Sequence, residues 1–463
     1  MSARTKCTIA SWSTVVLLVI VSAGLIVFAQ QGKVVSSYGP TNQDMTFSQI
    51  KDARMAVKSA RANEHMALLN RRYDLSKKTT TEVTMSGGKP IPVGPTARLQ
   101  GVTWEQLDKM TPEQIKEKSL FPYQPLPFPD HAEGGMLFPE MTTKPLPRLV
   151  RFDLDFDLPE YLLPDPAPAI YLTTRPDLGD VAKGRLITIN NFYEIFNGVL
   201  NPKQLEGLRL LLTQFPQQQF NATEDRRTDR ADGMLGVTCL DCHVNGHTNK
   251  ATHLVGDIRP QEFRHRINTP SLRGVNIQRL FGSQRALKTV EDFTEFEQRA
   301  AYFDGDIAMA AKKGVNVLDR GSQVHFMTEF LEILDFPPAP KLNVLGELDK
   351  ARATESEVRG ETLFNGKARC AACHSAVSHY TDNSMHDLKA ERFYKQEIAN
   401  GMMMASDGPI KTFPLRGIKD SPPYLHDGRC FTLEDTVEYF NLVLQLHLNQ
   451  QEKKDMVAFL RCL

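Results

Sequence analysis

Two short cysteine and histidine motifs constrain this 463-residue chain more than any other feature of its sequence. The first reads Cys239-Leu-Asp-Cys242-His243 and the second reads Cys370-Ala-Ala-Cys373-His374. In each motif two thiols lie about one helical turn apart, and a histidine follows directly. This spacing lets both thiols reach one edge of a porphyrin while the histidine points at the iron.

The motifs therefore predict two covalently attached haem c groups. Chance repetition of so specific a pattern is very rare in a chain with seven cysteines. The predicted attachment residues are Cys239, Cys242, Cys370 and Cys373, and the predicted proximal iron ligands are His243 and His374.

Two other interpretations of the motifs are weaker. A thioredoxin-like redox pair needs a strand and helix context and no following histidine. A zinc site is the stronger alternative, because by residue type Cys239, Cys242, His243 and His247 could form a Cys2His2 ligand set. Ligands packed this tightly along the chain give poor tetrahedral geometry, and the export signal described below favours haem.

Charge and composition exclude one large class of function. Lys plus Arg and Asp plus Glu number 55 each, and no long basic stripe occurs, so a nucleic-acid partner is not expected. With 41% hydrophobic residues the chain can bury at least two cores.

The N-terminus predicts export. Arg4 and Lys6 precede an uncharged stretch from Cys7 to Ala29, whose length lies between a signal-peptide core and a spanning helix. Residues 1–30 are therefore interpreted as a signal peptide or a membrane anchor. Either alternative places the protein in the periplasm, secreted, or anchored to the outer side of the inner membrane.

The remainder divides into three predicted segments. Residues 31–175 read as an irregular N-terminal extension, crowded with proline from Phe121 to Pro168, whose interleaved apolar residues favour docking on the following domains. Residues 176–345 and 346–463 each contain one motif and mostly helical patterns. We expect a mainly α fold with two packed cytochrome c-like haem domains.

Several helices are predicted from local signals. Asn201 caps a helix with Pro202 at its first position, and Asn449 with Glu452 forms a capping box before the last helix. Apolar residues from Val324 to Leu334 recur at helical spacing. The two remaining cysteines of the C-terminal part either bridge or stay free thiols; they are Cys430 and Cys462.

An internal repeat leads to a family resemblance. Each half runs from its motif to a similar tract, Asn268-Thr-Pro-Ser-Leu-Arg-Gly274 in the first and Thr412-Phe-Pro-Leu-Arg-Gly417 in the second. The region from Gly408 to Gly428, followed by Thr432-Leu-Glu-Asp-Thr-Val-Glu-Tyr-Phe-Asn441, closely resembles the second domain of bacterial di-haem cytochrome c peroxidases and MauG-like proteins. The resemblance covers about residues 180–463.

The resemblance implies an exported oxidoreductase that reduces peroxide at one haem with electrons relayed through the other. A small electron-donor protein or a membrane redox chain would supply the electrons, and a homodimer is compatible with the family. Two alternatives stay open: a non-catalytic di-haem electron-transfer protein, and a MauG-like oxidase of a protein or organic substrate.

Distal iron ligands are less clearly marked. For the first haem the nearby candidates are His247, His253 and His265. For the second haem, the family's methionine position falls on Phe440, which cannot bind iron. Its neighbour Tyr439 matches the tyrosine of MauG-like members, and the methionines at 402–404 are a rival source of a ligand.

The resemblance also implies a calcium ion between the domains, with Asn268, Ser421 and Pro423 at the ligand positions. Two departures from the family are apparent. The tract Phe281-Gly-Ser-Gln-Arg285 lacks the family's inter-haem tryptophan, and no acidic distal residue is evident. We expect Glu295 and Glu297, which are near in sequence, to lie on a solvated helix face.

Overall fold

The structure is a computed structural model that describes residues 47–99, 101–126, 136–150, 154, 156–214, 237–254, 266–283, 285, 287–297, 317–393, 398–399, 402–403 and 408–463. Within these residues there are twelve α-helices and nine strands, and seven of the strands span only two or three residues. The predicted mainly α secondary structure is confirmed.

The N-terminal part of the described chain is more regular than predicted. Helix α1 (Phe47–Arg72) leads into an antiparallel hairpin of β1 (Tyr73–Thr84) and β2 (Pro90–Ala97). The prediction of an irregular extension over 31–175 is therefore wrong for residues 47–97. Strand β2 contains prolines, which a two-stranded ribbon tolerates because one edge of each strand is unpaired and a missing N–H there breaks no hydrogen bond of the ladder.

The rest of the extension consists of short elements joined by irregular chain. Helices α2 (Trp104–Leu107) and α3 (Pro112–Glu117) each begin with a threonine capping box, and α4 (Glu140–Thr143) follows strand β3 (Met136–Leu137). The proline-rich part carries side chains that are at most 5% exposed, including Phe121, Tyr123, Leu126 and Leu162. These residues dock, as their apolar character predicted.

Buried apolar side chains form two main clusters. One contains residues between 170 and 334, here called the first unit. The other joins residues between 348 and 463, the second unit, with residues between 69 and 162 of the extension. The extension thus shares a core with the second unit. The exact domain boundaries at 176, 345 and 346 stay predictions.

The first unit comprises α5 (Phe192–Phe196), α6 (Pro202–Leu211), α7 (Cys239–Cys242), α8 (Val290–Phe296) and α9 (Val317–Leu331). Strands β4 (Thr252–Leu254) and β5 (Arg266–Asn268) pair with β3 in the order β3-β4-β5. The predicted Asn201 cap is confirmed, since its side chain accepts from Gln204 N at 2.9 Å.

The second unit comprises α10 (Glu355–Asn365), α11 (Leu433–Val443) and α12 (Gln450–Leu460). Its short strands are β6 (Met385–His386), β7 (Ile398–Ala399), β8 (Met402–Met403) and β9 (Ile410–Lys411), which pair as β6-β9 and β7-β8. The predicted capping box of α12 is confirmed by both of its hydrogen bonds.

A glycine marks the same helix crossing in both units. In the first unit α6 meets α9, and a Cβ on Gly207 would lie 1.8 Å from the Phe326 carbonyl oxygen. In the second unit α10 meets α12, and a Cβ on Gly360 would lie 2.1 Å from the Asp455 carbonyl oxygen. Because only glycine allows this approach, the repeat seen in the sequence extends to how each unit packs.

Within the described residues, the two units contact each other through main-chain hydrogen bonds, side-chain hydrogen bonds and a buried ion pair. Asn268 N donates to the His426 carbonyl at 2.9 Å, and Lys411 N donates to the Ser283 carbonyl at 2.8 Å. Arg273 of the first unit binds Asp420 of the second at 2.8 Å, with both side chains at most 6% exposed.

Two sequence expectations concern features at the ends of the chain. In the part of the chain that the structure describes, no helix combines the length and apolar character that a membrane crossing requires. The segment 1–30 lies outside the described residues, so the signal peptide or anchor stays a prediction. Cys430 and Cys462 are both buried and both free thiols.

Candidate haem-binding sites

The first motif sits on the one-turn helix α7. Thr238 and Asp241 form a capping box that fixes the start of this turn, with Thr238 N donating to the Asp241 carboxylate at 2.7 Å. Arg148 of the extension clamps the same carboxylate through two bonds of 2.8 and 2.6 Å. The helix then closes with His243 N donating to the Cys239 carbonyl at 3.0 Å, which places the histidine one turn after the first cysteine.

The ring of His243 is oriented by a neighbouring carbonyl. Its Nδ1 lies 2.9 Å from the carbonyl oxygen of Pro270, which belongs to the repeated Asn-Thr-Pro tract. A carbonyl only accepts, so Nδ1 carries the proton and the lone pair of Nε2 is left for a metal. Burial lowers the pKa of His243 to about 4, which keeps the imidazole neutral, as a metal ligand requires.

The second motif repeats this geometry on a 3₁₀ turn, Cys370–Ala372. His374 N donates to the Cys370 carbonyl at 2.9 Å, and His374 Nδ1 lies 2.6 Å from the Tyr380 carbonyl oxygen. Burial lowers the pKa of this histidine as well. Both predicted proximal histidines thus have the same tautomer and the same main-chain support, which is the arrangement expected of iron-binding imidazoles.

The four motif cysteines are neutral thiols. Burial is the main cause that raises their pKa values, to about 12 for both Cys239 and Cys370.

His247 does not complete a zinc set or offer a free distal ligand. Its ring is 2% exposed, its Nδ1 lies 2.8 Å from Ser271 Oγ, and its Nε2 lies 3.0 Å from the Asp420 carbonyl oxygen. Both ring nitrogens therefore have protein partners. His247 links the two units, and the sequence interpretation of it as a distal candidate is replaced by this structural role.

The other distal candidates are only partly described. His253 lies on β4, where its backbone pairs with Ile267, but its side chain and the whole of His265 are outside the described residues. Tyr439 lies on α11 and is 2% exposed, edge-on to Phe121 of the extension at 6.4 Å. All three stay predictions as iron ligands.

The predicted calcium residues are partly brought together. A Cβ on Gly428 would lie 2.1 Å from Asn268 Nδ2 and 3.0 Å from Pro423 Cγ, so these two side chains from different units flank one glycine. Asn268 is 4% exposed, and its amide nitrogen has no hydrogen-bond partner in the described part of the chain. The third residue, Ser421, donates to the Ile418 carbonyl at 3.5 Å. Calcium stays a prediction.

Within the described residues, one group of three side chains meets the distance requirement for a metal ion: Cys373, Asp382 and His386. His386 and Asp382 already pair at 2.7 Å. Since Cys373 belongs to the second motif, this group marks the surroundings of the predicted haem attachment.

Sequence reasoning missed the position of Glu297. This residue follows α8 directly and is half-buried, and after burial its charge is the next cause that raises the pKa of Cys239, so it lies within electrostatic range of the first motif. Burial raises its own pKa to about 7. The expectation of a solvated helix face is wrong for Glu297. The signal was present, because Val290, Thr294 and Glu297 share one helical face and the first two are buried.

Comparisons with known proteins agree with the motifs. No family model matches the chain. It is 35% identical over 119 residues to the methylamine utilization protein MauG of Methylorubrum extorquens, covering 23% of this chain and 33% of that protein. It is 32% identical over 134 residues to the cytochrome c551 peroxidase of Nitrosomonas europaea, covering 27% and 39%.

A longer match is weaker in identity. A cytochrome-c peroxidase of Denitromonas iodatirespirans is 23% identical over 289 residues, covering 50% of this chain and 78% of that protein. Among solved structures, a MauG-like protein associated with microbial copper homeostasis has a TM-score of 0.39 at 18% identity, covering 66% of this chain and 94% of that one. The first of the sequence relatives are matched over only 33% to 42% of their own length.

Proposed function

We propose that this chain, which is similar over part of its length to MauG and to a cytochrome c551 peroxidase, is an exported di-haem c-type oxidoreductase that uses peroxide as oxidant. The relatives imply haem c. The observation that carries the proposal of two haems is the repeated geometry of His243 and His374, each with Nδ1 on a main-chain carbonyl and each one turn after a cysteine.

At each motif this chain's residues have defined tasks. The two cysteines tether the haem through thioether bonds, and the histidine presents Nε2 to the iron in a fixed orientation. The haem, when bound, supplies the iron that binds an oxygen of the peroxide and the redox capacity to break the O–O bond. The overall reaction consumes one hydrogen peroxide, two electrons and two protons, and it yields two water molecules.

Proton handling falls to Glu297 in this proposal. A carboxyl with a pKa of about 7 exchanges protons readily at neutral pH, and its charge acts on Cys239 of the first motif, so we assign to it the task of taking a proton from peroxide and returning it to the leaving oxygen. This supports the first motif as the peroxide site. The second motif would then hold the relay haem.

A second candidate function is oxidation of a protein or organic substrate, with peroxide as oxidant. It is favoured by the relative named MauG, which has the higher identity, and by the buried Tyr439 on α11. The two functions differ in the electron source: a small redox protein or membrane chain for a peroxidase, and the substrate itself for an oxidase. A pure electron-transfer protein would ignore peroxide.

Further parts of the proposal follow from the sequence. Residues 1–30 direct export or anchor the protein at the outer side of the inner membrane, a calcium ion sits between the units near Asn268, and the chain can form a homodimer. N-terminal sequencing of the mature protein, calcium analysis and light scattering test these three points separately.

The experiment for the main function uses holoprotein matured with haem c. Stopped-flow spectroscopy should show loss of peroxide coupled to oxidation of a reduced donor protein. A His243→Gly variant should lose this reaction, whereas His325→Gln should keep it, because His325 is a half-exposed residue that pairs with Glu291 and Glu329. Holoprotein that carries both haems yet ignores peroxide in every redox state would refute the proposal.

A further inference from the structure

A buried group of polar side chains lies where the two units meet. Lys411, on β9 of the second unit, is 3% exposed, and its Nζ binds Gln278 Oε1 of the first unit at 3.0 Å. Burial and, after it, the charge of Arg285 of the first unit lower the pKa of Lys411 to about 8. We call Lys411, Arg285 and Gln278 the junction cation cluster.

Within the part of the chain that the structure describes, the cluster has two cations and no matching acid. Lys411 Nζ otherwise lies over the rings of Phe281 and Phe413, at 5.5 and 5.3 Å. Arg285 Nε is buried and has no hydrogen-bond partner among the described residues. Among the residues that the structure describes, neither cation pairs with a carboxylate. A buried ammonium group within electrostatic range of a second, partly buried cation is costly, so the arrangement calls for an anion.

The anion must be a group that is present at the junction cation cluster when the protein carries its haems. Strand β9 pairs with β6, with Met385 opposite Lys411, and the neighbouring residues Asp382 and His386 flank Cys373 of the second motif. The cluster is therefore one strand away from the second attachment site. A haem carries two propionate carboxylates, and a carboxylate bonded by lysine and arginine is the standard way to keep such a group ionised in a buried place.

We propose that the junction cation cluster binds a propionate of the haem attached at Cys370 and Cys373. Lys411 and Arg285 neutralise the carboxylate, and Gln278 holds the ammonium group in position. The propionate in turn ties the second haem to the first unit at the junction across which electrons must pass. This inference rests on the proposed di-haem function.

The test is a potentiometric titration of both haems in Lys411→Met holoprotein. Removing a positive charge near one haem favours its oxidised form, so the ratio of reduced to oxidised haem at a fixed ambient potential should fall about tenfold for a charge roughly 12 Å from the iron. For a one-electron couple this is a shift of about 59 mV. The other haem should change less.

Two controls make the result specific. Lys411→Arg keeps the charge and should keep the potential near that of the wild type. Lys89→Met removes a lysine that is largely buried but pairs with Asp165, in the N-terminal hairpin, and should change neither potential. If Lys411→Met fails to take up haem, Arg285→Gln replaces it and should give a smaller shift in the same direction.

Three outcomes overturn the inference. Unchanged potentials in both Lys411→Met and Arg285→Gln would show that no haem carboxylate is bound there. A wild-type potential that depends on phosphate concentration would show a free anion at the cluster. An equal shift in Lys89→Met would show a general effect of lost charge. A haemochrome spectrum run first separates these results from a failure of the di-haem function itself, which would show no haem at all.

Discussion

Replacing Asp420 by asparagine should weaken the junction between the two units. Its carboxylate is 3% exposed and accepts from Arg273 Nη1 at 2.8 Å and from Ser86 N of the hairpin at 2.9 Å. Its main-chain carbonyl lies 3.0 Å from His247 Nε2. One residue of the second unit therefore holds the first unit and the extension together.

The expected loss can be worked from this geometry. Asparagine has nearly the same shape and can still accept from Ser86, so packing and one hydrogen bond survive. Arg273 keeps its bond to the Ala169 carbonyl at 2.7 Å but becomes a buried cation without a counter-charge. Breaking a buried ion pair by removing one partner costs about 3–5 kcal/mol, and the retained hydrogen bond puts the expected loss near the lower end, about 3 kcal/mol.

Urea denaturation of the full chain, followed by circular dichroism and by the fluorescence of Trp104 in the extension, measures this loss. The matched control is Asp177→Asn, because Asp177 also pairs with an arginine at 2.8 Å but is 61% exposed. That control should lose less than about 1 kcal/mol. The reasoning is refuted if Asp420→Asn loses no more free energy of unfolding than Asp177→Asn does.

Three further predictions address packing, catalysis and pH. Gly207→Ala should destabilise the first unit by about 1–3 kcal/mol because its Cβ would overlap a carbonyl on α9. The control is Gly87→Ala, where the nearest atom to the added Cβ is 4.0 Å away. Equal thermal unfolding of the two variants would contradict the close contact between α6 and α9. Glu297→Gln should lower kcat/KM for peroxide about a hundredfold or more and abolish the rise of activity as pH increases through about 7, where the wild-type carboxyl becomes the base. The control Glu295→Gln should keep that rise. If the rise of activity with pH persists in Glu297→Gln, a group other than Glu297 is the base. Hydrogen bonds from Arg359 are the largest cause that lowers the pKa of Asp455 to about 2, so the ionised Asp455 gives its full stabilisation above the unfolded pKa near 4 and loses it as pH falls toward 2. The free energies of unfolding of the wild type and of Asp455→Asn should therefore converge near pH 2. A difference between the two proteins that stays constant with pH would contradict this prediction.

Local signals in the sequence predicted local structure well. Asn201 and Asn449 start helices where their capping patterns placed them, and the apolar face that contains Val324 and Met327 is buried. The spacing of the motifs predicted a helical turn between the two cysteines of each motif, and the structure has an α turn at the first and a 3₁₀ turn at the second. These features depend on residues within a few positions of each other, so the sequence carries them directly.

Features that depend on distant partners were not predictable in this way. The hairpin of the extension was not predicted, because the tertiary fold decides whether a strand has a free edge on which prolines are tolerated. His247 looked like a ligand until the structure placed it against Ser271 and Asp420. Lys411 is an unremarkable lysine in the sequence, and only the fold shows that it is buried next to Arg285.

Intact-mass analysis of the denatured mature protein, combined with its haemochrome spectrum, tests the central claim most directly. We expect a mass equal to that of the polypeptide plus two covalently bound haems, together with a c-type spectrum. The double variant Cys239→Ala, Cys242→Ala should lose one of the two haems. A mature protein with no covalent haem, or with zinc bound at the motifs instead, would contradict the assignment of the two motifs as haem c attachment sites.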